Sequence, residues 1–105
     1  MITEKKLRQI ALSFENTSEE PHFEKTSFRI KKKIFASYDS KNKLVCVKLT
    51  PEDQASFCSF DKTIIYPVPN KWGQQGWTFI SLEKVLEETL ADALQTSYQT
   101  ALSKK

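Results

Sequence analysis

Residues 22–49 read HFEKTSFRIKKKIFASYDSKNKLVCVKL, and this stretch decides the fold. Its β-branched and aromatic residues fall into three short runs with a period of two, which is the pattern of β-strands. The lysines at 31–33 and the polar run at 39–43 interrupt the pattern, and Asp, Ser and Asn in the second interruption tolerate turn geometry. Consecutive strands joined by connections this short must be antiparallel, so the stretch predicts a three-stranded meander.

Helical patterns flank these strands. Residues 7–14 carry apolar side chains at i, i+3, i+4 and i+7, and Thr3 is available as the N-cap. The run Thr-Pro-Glu-Asp at 50–53 combines an N-cap, a proline at the first helical position and early acidic residues, which predicts a short helix. Near the C-terminus, Ser81 is predicted to cap a long amphipathic helix that starts at Leu82.

Two more strands are predicted at 63–67 and 76–80, and an additional strand at 20–25 is compatible with the sequence. The order is then α-β-β-β-α-β-β-α. Amphipathic helices need an apolar surface to cover, and an antiparallel sheet offers one face. We therefore predict a single α+β domain over residues 1–105. It has two layers, with an antiparallel sheet of five to six strands, N- and C-terminal helices packed on one face, and a short helix between strands.

Composition narrows the class of protein. The chain has 105 residues, of which 39% are hydrophobic and 28% charged, and this indicates one globular domain. No apolar run approaches the ~20 residues that span a bilayer, and the charged N-terminus is unlike a signal peptide. Cys46 and Cys58 have no ligand spacing around them, which favours reduced thiols in a cytosolic protein. We expect a cytoplasmic monomer with no cofactor, metal or membrane contact.

Positive charge is concentrated in residues 21–48, which carry eight basic residues against two acidic ones, a net charge of +6. The lysines at 31–33 and those at 41 and 43 lie in two successive hairpin tips, which an antiparallel meander places at opposite ends of the sheet. Arg29 and Lys31 are expected on the same strand face as Ser27. In one interpretation, these basic hairpins flank a duplex as wings and contact its phosphates. The same lysines also serve as a solvated surface that prevents edge pairing, and the sequence leaves both interpretations open.

The run YPVPNKWGQQGW at 66–77 holds both glycines and both tryptophans of the chain. In one interpretation Trp72 is exposed and stacks on a base while Lys71 meets a phosphate. In the other, the prolines stop a strand, Gly73 and Gly76 turn the chain with positive φ, and the tryptophans pack on the sheet. Trp77 begins a strand, so we expect it in the core, whereas Trp72 fits either interpretation.

Several motifs together resemble the MmcQ/YjbR family of small bacterial proteins, and the resemblance covers nearly the whole chain. The most specific pieces are Pro-His-Phe at 21–23, Lys-Ile-Phe-Ala at 33–36, Val-Lys-Leu at 47–49 and Trp-Gly-x-x-Gly-Trp at 72–77. The resemblance implies a CyaY-like fold with a double-wing arrangement of strand pairs, and family members are described as predicted DNA-binding proteins. Frataxin has the same fold and binds iron through an acidic ridge. Here basic residues offset the acidic residues of the first helix, so an iron-donor role is not carried over.

Lys48 and His22 are the remaining candidates for chemistry. Lys48 interrupts an apolar strand, shares its parity with Leu44 and Cys46, and either lines a groove or extends its ammonium to solvent. His22 is the only histidine, and no motif places a nucleophile beside it. An enzyme that uses both residues needs their side chains within a few ångströms of each other.

The first function hypothesis is a small non-enzymatic nucleic-acid-binding module with low sequence specificity, for which the candidate partner is DNA. The alternative is a protein-interaction or adaptor domain that uses the open sheet face and the Trp72 loop. An exposed apolar cluster around Phe35, Tyr38 and Trp72 would favour that alternative. The candidate nucleic-acid contacts are Arg29, Lys31, Lys32, Lys33, Lys41, Lys43, Lys48, Lys71 and Trp72.

Overall fold

The computed structural model describes residues 2–22 and 25–103, with the side chain of His22 outside the description. It contains four helices and six strands in the order α1 (Glu4–Leu12), β1 (Thr17–His22), β2 (Lys25–Ile30), β3 (Lys33–Asp39), β4 (Leu44–Lys48), α2 (Pro51–Cys58), β5 (Ile65–Pro67), α3 (Lys71–Gln74), β6 (Trp77–Ser81) and α4 (Glu87–Ser103). The predicted α+β class is confirmed. The additional strand, predicted at 20–25, lies earlier, as β1 at Thr17–His22, and the four-residue helix α3 was not predicted.

The six strands form one antiparallel sheet in the order β1-β2-β3-β4-β6-β5. Strands β1 to β4 are neighbours in sequence order, as the short connections predict. The chain then leaves through α2 and returns so that β6 pairs with β4 and β5 becomes the far edge strand. The register pairs Lys48 with Trp77 and Cys46 with Phe79, which brings residues about 30 positions apart side by side.

The β2–β3 hairpin turns through a two-residue loop in which both residues have positive φ. The register pairs Ile30 with Lys33, and the loop residues Lys31 and Lys32 have φ of 51° and 70°. Two left-handed residues are the signature of the type I′ turn, whose twist matches that of the flanking strands. Lysine is a costly residue at both positions, since Asn and Gly adopt this backbone conformation far more readily.

The core lies between one sheet face and the terminal helices, as predicted. Phe28, Val45 and Ile80 from the sheet and Leu90 and Leu94 from α4 are almost completely buried. At the edge of the core the ring of Phe14 stacks on Tyr98 with centroids 4.9 Å apart, and Phe35 meets both rings edge to face. The Tyr98 hydroxyl donates to the Glu15 carbonyl at 2.7 Å, which links α4 to the end of α1.

The predicted start of the last helix at Leu82 is wrong, since α4 begins at Glu87. The Leu82 N–H donates to the Lys43 carbonyl at 3.0 Å and so prolongs the β4–β6 pairing by one bond beyond the strand. Turns then follow, in which Lys84 and Val85 donate to the Ser81 carbonyl. Leu82 and Val85 are buried while Leu86 is 73% exposed, so the apolar spacing of this segment reflects a packed turn.

Helix α2 is hydrogen-bonded to the loop between β5 and β6 and to the start of β6. Its predicted N-cap is confirmed, because the Thr50 hydroxyl accepts from the Asp53 N–H at 3.1 Å. The side-chain amide of Gln54 donates to the Gly73 carbonyl at 2.9 Å, to the Trp77 carbonyl at 3.2 Å and to Thr78 Oγ1 at 3.1 Å. One amide therefore ties α2, α3 and the start of β6 together. Within residues 2–22 and 25–103, none of the helices has the length and apolarity to cross a membrane.

Candidate functional site

Among residues 2–22 and 25–103, the sheet face opposite α1 and α4 is bordered by the β5–β6 loop, which contains α3. Alternate residues of the strands point to this face because side chains in a strand alternate sides. With residues of the β5–β6 loop they enclose a groove of about 460 Å³, which we call the open-face groove. Its lining residues are Lys25, Ile34, Ser37, Cys46, Val68, Trp72, Trp77 and Phe79.

The β5–β6 loop is held so that Trp72 projects toward solvent beside the groove. The Asn70 side chain caps α3 by accepting from the Trp72 N–H at 2.8 Å. A Cβ at position 73 would overlap the carbonyl oxygen of Val68, so Gly73 is required for close backbone approach. Gly76 has the predicted positive φ, at 106°, and also lies against Leu49. The prediction of positive φ at Gly73 is wrong, since it lies in α3.

The two tryptophans both belong to the groove. Trp72 is 57% exposed, which decides the open question in favour of an exposed ring. The prediction that Trp77 lies in the core is wrong, since it is half-buried on the open face. The physical reason is parity: Thr78 and Ile80 of β6 face the helices and are fully buried, and Trp77 and Phe79 therefore face the other way.

Lys48 lies at the end of β4, directly opposite Trp77 in the β4–β6 register. Its Nζ is 5.4 Å from the centroid of the Trp77 ring, within the range of a cation–π contact. Lys48 pairs with Trp77 and Cys46 pairs with Phe79. This confirms the prediction that Lys48 and Cys46 share a partly apolar face. The ammonium group is thus held at the rim of the open-face groove.

Five of the predicted lysines lie at one end of the sheet. Strand β2 ends and β3 begins at the Lys31–Lys32 turn, and β4 ends and β6 begins at the same end. Helix α3 precedes β6 there. We call this set the lysine end, and it consists of Lys31, Lys32, Lys33, Lys48 and Lys71. From β2 to β6 this end spans three strand spacings, roughly 14 Å. Glu52 and Asp53 of α2 follow β4 at this end and reduce the net charge.

Lys41 and Lys43 lie in the β3–β4 hairpin at the opposite end of the sheet, as the antiparallel order predicts. Lys43 Nζ is 3.7 Å from Glu83, so an ion pair partly neutralises this tip. Along the strands the two ends are separated by about five residues, roughly 17 Å. The seven lysines among the nine predicted contacts therefore divide between two ends of the sheet, five at one end and two at the other.

Arg29 lies on the open face beside the groove, as its predicted parity with Ser27 requires. Its Nε donates to the Ser27 hydroxyl at 3.0 Å, and that hydroxyl donates to the Glu20 carbonyl at 2.8 Å. Ser27 is fully buried, so this chain of hydrogen bonds fixes the base of the guanidinium against the sheet.

The thiol of Cys46 lies in the groove and has no disulfide partner; Cys58 is also a free thiol. Burial raises the pKa of Cys46 from its ordinary value of 9.0 to about 11, and the charge of Lys25 opposes this shift. The predicted reduced state fits both residues, and Cys46 is half-buried on the open face.

Sequence reasoning missed several lining residues. Lys25 contributed to the charge of the basic segment without being named as a contact, and Ile34, Ser37, Val68 and Phe79 were not considered as site residues. The signal that could have identified them is the period of two in β2, β3 and β6. Lys25, Ser37 and Phe79 each adjoin, in sequence, a residue that faces the core, so their own side chains face the open side of the sheet.

Two other arrangements were considered from the sequence, a cluster of Phe35 and Tyr38 with Trp72 and a pocket of His22 with Lys48. Phe35 and Tyr38 are buried in the core, so the exposed cluster of these residues with Trp72 is absent. His22 ends β1 at the end of the sheet away from Lys48, and three strand spacings separate β1 from β4. Their backbones are therefore at least roughly 14 Å apart, and the side chain of His22 lies outside the described residues.

The acidic side chains near β1 are also separated from one another. Glu19 forms an ion pair with Arg8 of α1, with Nε and Oε1 2.6 Å apart, while Glu20 belongs to the opposite parity. In the part of the chain that the structure describes, no three His, Cys, Asp or Glu side chains come together as a metal site.

Comparisons with known proteins agree on the fold. A family model described as YjbR matches residues 12–100. The structure is similar to the crystal structure of Deinococcus radiodurans protein DR2400, which has a domain described as DUF419. The TM-score is 0.86 at 22% sequence identity, and the match covers 99% of this chain and 81% of that chain. At this identity the likeness concerns the fold alone. No curated protein matches the chain.

Proposed function

The chain belongs to the YjbR family, and from this premise we propose that it is a small nucleic-acid-binding module without enzymatic activity. The lysine end contacts phosphates, and Arg29 and Trp72 assist from the open face. Binding of this kind is weak, depends strongly on salt and has low sequence specificity, because phosphate contacts position a protein without reading bases.

The observation that carries the proposal is the convergence of positive charge and exposed aromatic surface at one end of the sheet. The Lys31–Lys32 turn and Lys48 lie along the end of the sheet that spans roughly 14 Å from β2 to β6. Helix α3, which carries Lys71 and the exposed Trp72, precedes β6 at this end. Solubilising lysines need no such convergence, and they do not require an exposed tryptophan. Lys41 and Lys43 contribute only to a ligand long enough to cross the sheet.

The test is fluorescence anisotropy with labelled single-stranded and duplex DNA at about 50 and 200 mM salt, which spans a steep part of the expected salt dependence. The informative variant is Lys31→Asn with Lys32→Gly. It removes two charges and supplies the residues that a type I′ turn prefers, so loss of binding cannot be attributed to a damaged hairpin. The matched control is Lys41→Ala with Lys62→Ala, which removes two exposed charges elsewhere.

The proposal predicts micromolar binding that weakens with salt, a marked loss in the hairpin variant and a smaller loss in the control. Absence of binding to either nucleic acid at low salt would contradict it. Equal losses in the two variants would also contradict it, because they indicate attraction to overall charge without a defined surface.

A second candidate is a protein-interaction or adaptor domain that uses the same open face and the Trp72 loop. It is supported by the apolar lining of the open-face groove, including Ile34, Val68 and Phe79. This candidate predicts a nuclease-resistant partner whose binding depends on Trp72 and is indifferent to the hairpin lysines. Affinity purification with Trp72→Ala and with the hairpin variant distinguishes the two candidates.

A further inference from the structure

We propose that the open-face groove receives unpaired nucleobases, so that this protein binds single-stranded nucleic acid in preference to duplex. The inference rests on the proposed function and deepens it, since it names the form of nucleic acid that the same surface recognises.

The groove offers the surface on which bases stack. Both tryptophans of the chain line it, together with Phe79, and Trp72 presents more than half of its surface to solvent. Single-strand-binding proteins use exposed aromatic rings in this way, because every base has a π-face and stacking tolerates any sequence. An open β-sheet that displays aromatic side chains is an established platform for splayed bases.

The volume of the open-face groove fits a nucleobase. About 460 Å³ lies within the range of small-molecule sites, which are concave and mostly apolar with a few polar groups. Ser37 and Lys25 supply hydrogen-bonding groups among the apolar side chains. Bases inside a duplex are already stacked and paired, and they cannot enter a concavity without being unpaired.

In the described part of the chain, no helix on this side of the sheet is long enough to read the bases of a duplex. Direct readout of B-DNA places an α-helix or a β-ribbon in the major groove. Helices α1 and α4 cover the opposite face of the sheet, and α3 is only four residues long. The contacts that this side offers to a duplex come from the lysine end, and these are contacts to the phosphate backbone.

Charge around the groove matches a polyanion that carries bases. Lys48 Nζ lies 5.4 Å from the centre of the Trp77 ring, so a base near that ring has an ammonium group within reach of its phosphate. Lys25 lines the groove on β2, and the Lys31–Lys32 turn lies at the end of the same strand. Stacking surface and phosphate contacts are thus interleaved, as a bound single strand requires.

The test compares a single-stranded oligonucleotide with its own duplex in the full chain. We expect the single strand to bind at least tenfold more tightly and Trp72→Ala to weaken its binding roughly tenfold, with little effect on the duplex. Phe60→Ala is the matched control, since Phe60 is 72% exposed and lies outside the groove. Intrinsic fluorescence gives a second readout, because Trp72→Phe leaves only Trp77 and Trp77→Phe leaves only Trp72 as reporters.

The outcomes separate this inference from the function on which it rests. If the duplex binds as tightly as the single strand, and Trp72→Ala changes neither while the hairpin variant loses both, the base-stacking inference is overturned and the nucleic-acid function stands. If neither nucleic acid binds at low salt, both fail. If a protein partner binds the groove through Trp72 instead, the adaptor candidate replaces them.

Discussion

Lys48 and Trp77 face each other across the β4–β6 pairing, with the lysine ammonium 5.4 Å from the indole ring. One residue ends its strand and the other begins its strand, so the pair lies at the rim of the open face. A cation held next to an aromatic ring combines the two contacts that a nucleotide offers, a phosphate and a base. The proposed function depends on this placement of a positive charge next to an aromatic ring.

Replacing Lys48 tests the charged half of this relationship. Lys48→Met keeps most of the apolar stem and removes the ammonium group. We expect single-strand binding to weaken several-fold, and the slope of log K against log salt to become less steep by about 0.7, the value for one phosphate contact on a single strand. Anisotropy titrations at several salt concentrations measure this slope. An unchanged slope would show that Lys48 does not meet a phosphate.

The β2–β3 hairpin is predicted to be less stable with Lys31 and Lys32 in its turn than with residues that favour positive φ. Both lysines have positive φ, which costs of order 1 kcal/mol for each non-glycine residue. Lys31→Asn with Lys32→Gly should therefore raise the free energy of unfolding by about 1 kcal/mol after the entropy cost of glycine. Urea unfolding monitored by circular dichroism checks this gain. A loss of stability would mean that the lysine side chains stabilise the turn in another way.

The two glycines of the β5–β6 loop should differ in their response to alanine. Gly76→Ala combines a positive φ of 106° with overlap on Leu49, whereas Gly73→Ala meets only the overlap with Val68. We expect losses of at least about 3 and about 2 kcal/mol, respectively. Gln75→Ala, between them and exposed, is the control and should cost less than about 0.5 kcal/mol. Equal losses at the two glycines would count against the strained conformation at Gly76.

The thiol of Cys46 should react slowly at ordinary pH because burial raises its pKa to about 11. In Cys58→Ala, the rate of alkylation by iodoacetamide should rise about tenfold per pH unit above pH 8 and level off near pH 11. Because the pKa is higher in the folded state, the neutral thiol contributes stability below about pH 9 that is lost as the pH rises toward 11. A plateau near pH 9 would show that the thiol is solvated. Bound nucleic acid should slow the reaction further.

Local sequence patterns were sufficient to predict most of the fold. Alternation in 22–49 identified the meander, and the Thr50 cap identified α2, because these signals involve residues close together in the chain. The start of α4 was misplaced because a bond from Leu82 to Lys43 prolongs the sheet pairing beyond Ser81. That bond joins distant positions, and the apolar spacing at 82–86 has the same period whether the segment is a helix or a packed turn.

The groove itself was predicted only in part, for a related reason. Parity divides Trp77 and Phe79 from Thr78 and Ile80, but it does not say which pair the helices cover. That choice follows from the pairing of β4 with β6 and from the helix that covers the sheet, both of which are long-range. The division of lysines between two ends followed from topology and was predicted correctly, whereas the meeting of Trp77 with Lys48 required the register.

The most direct measurement is an amide and indole NMR titration of the isotope-labelled protein with a short single-stranded oligonucleotide at about 50 mM salt. We expect shift changes at Lys31, Lys32 and Lys48 and at both indole N–H groups, with Lys41 and Lys62 unaffected. The chain has two tryptophans and both line the groove, so each indole signal reports on one known groove residue. Changes confined to the Lys41 end, or no changes at all, would contradict the binding of nucleic acid at the lysine end of the open face.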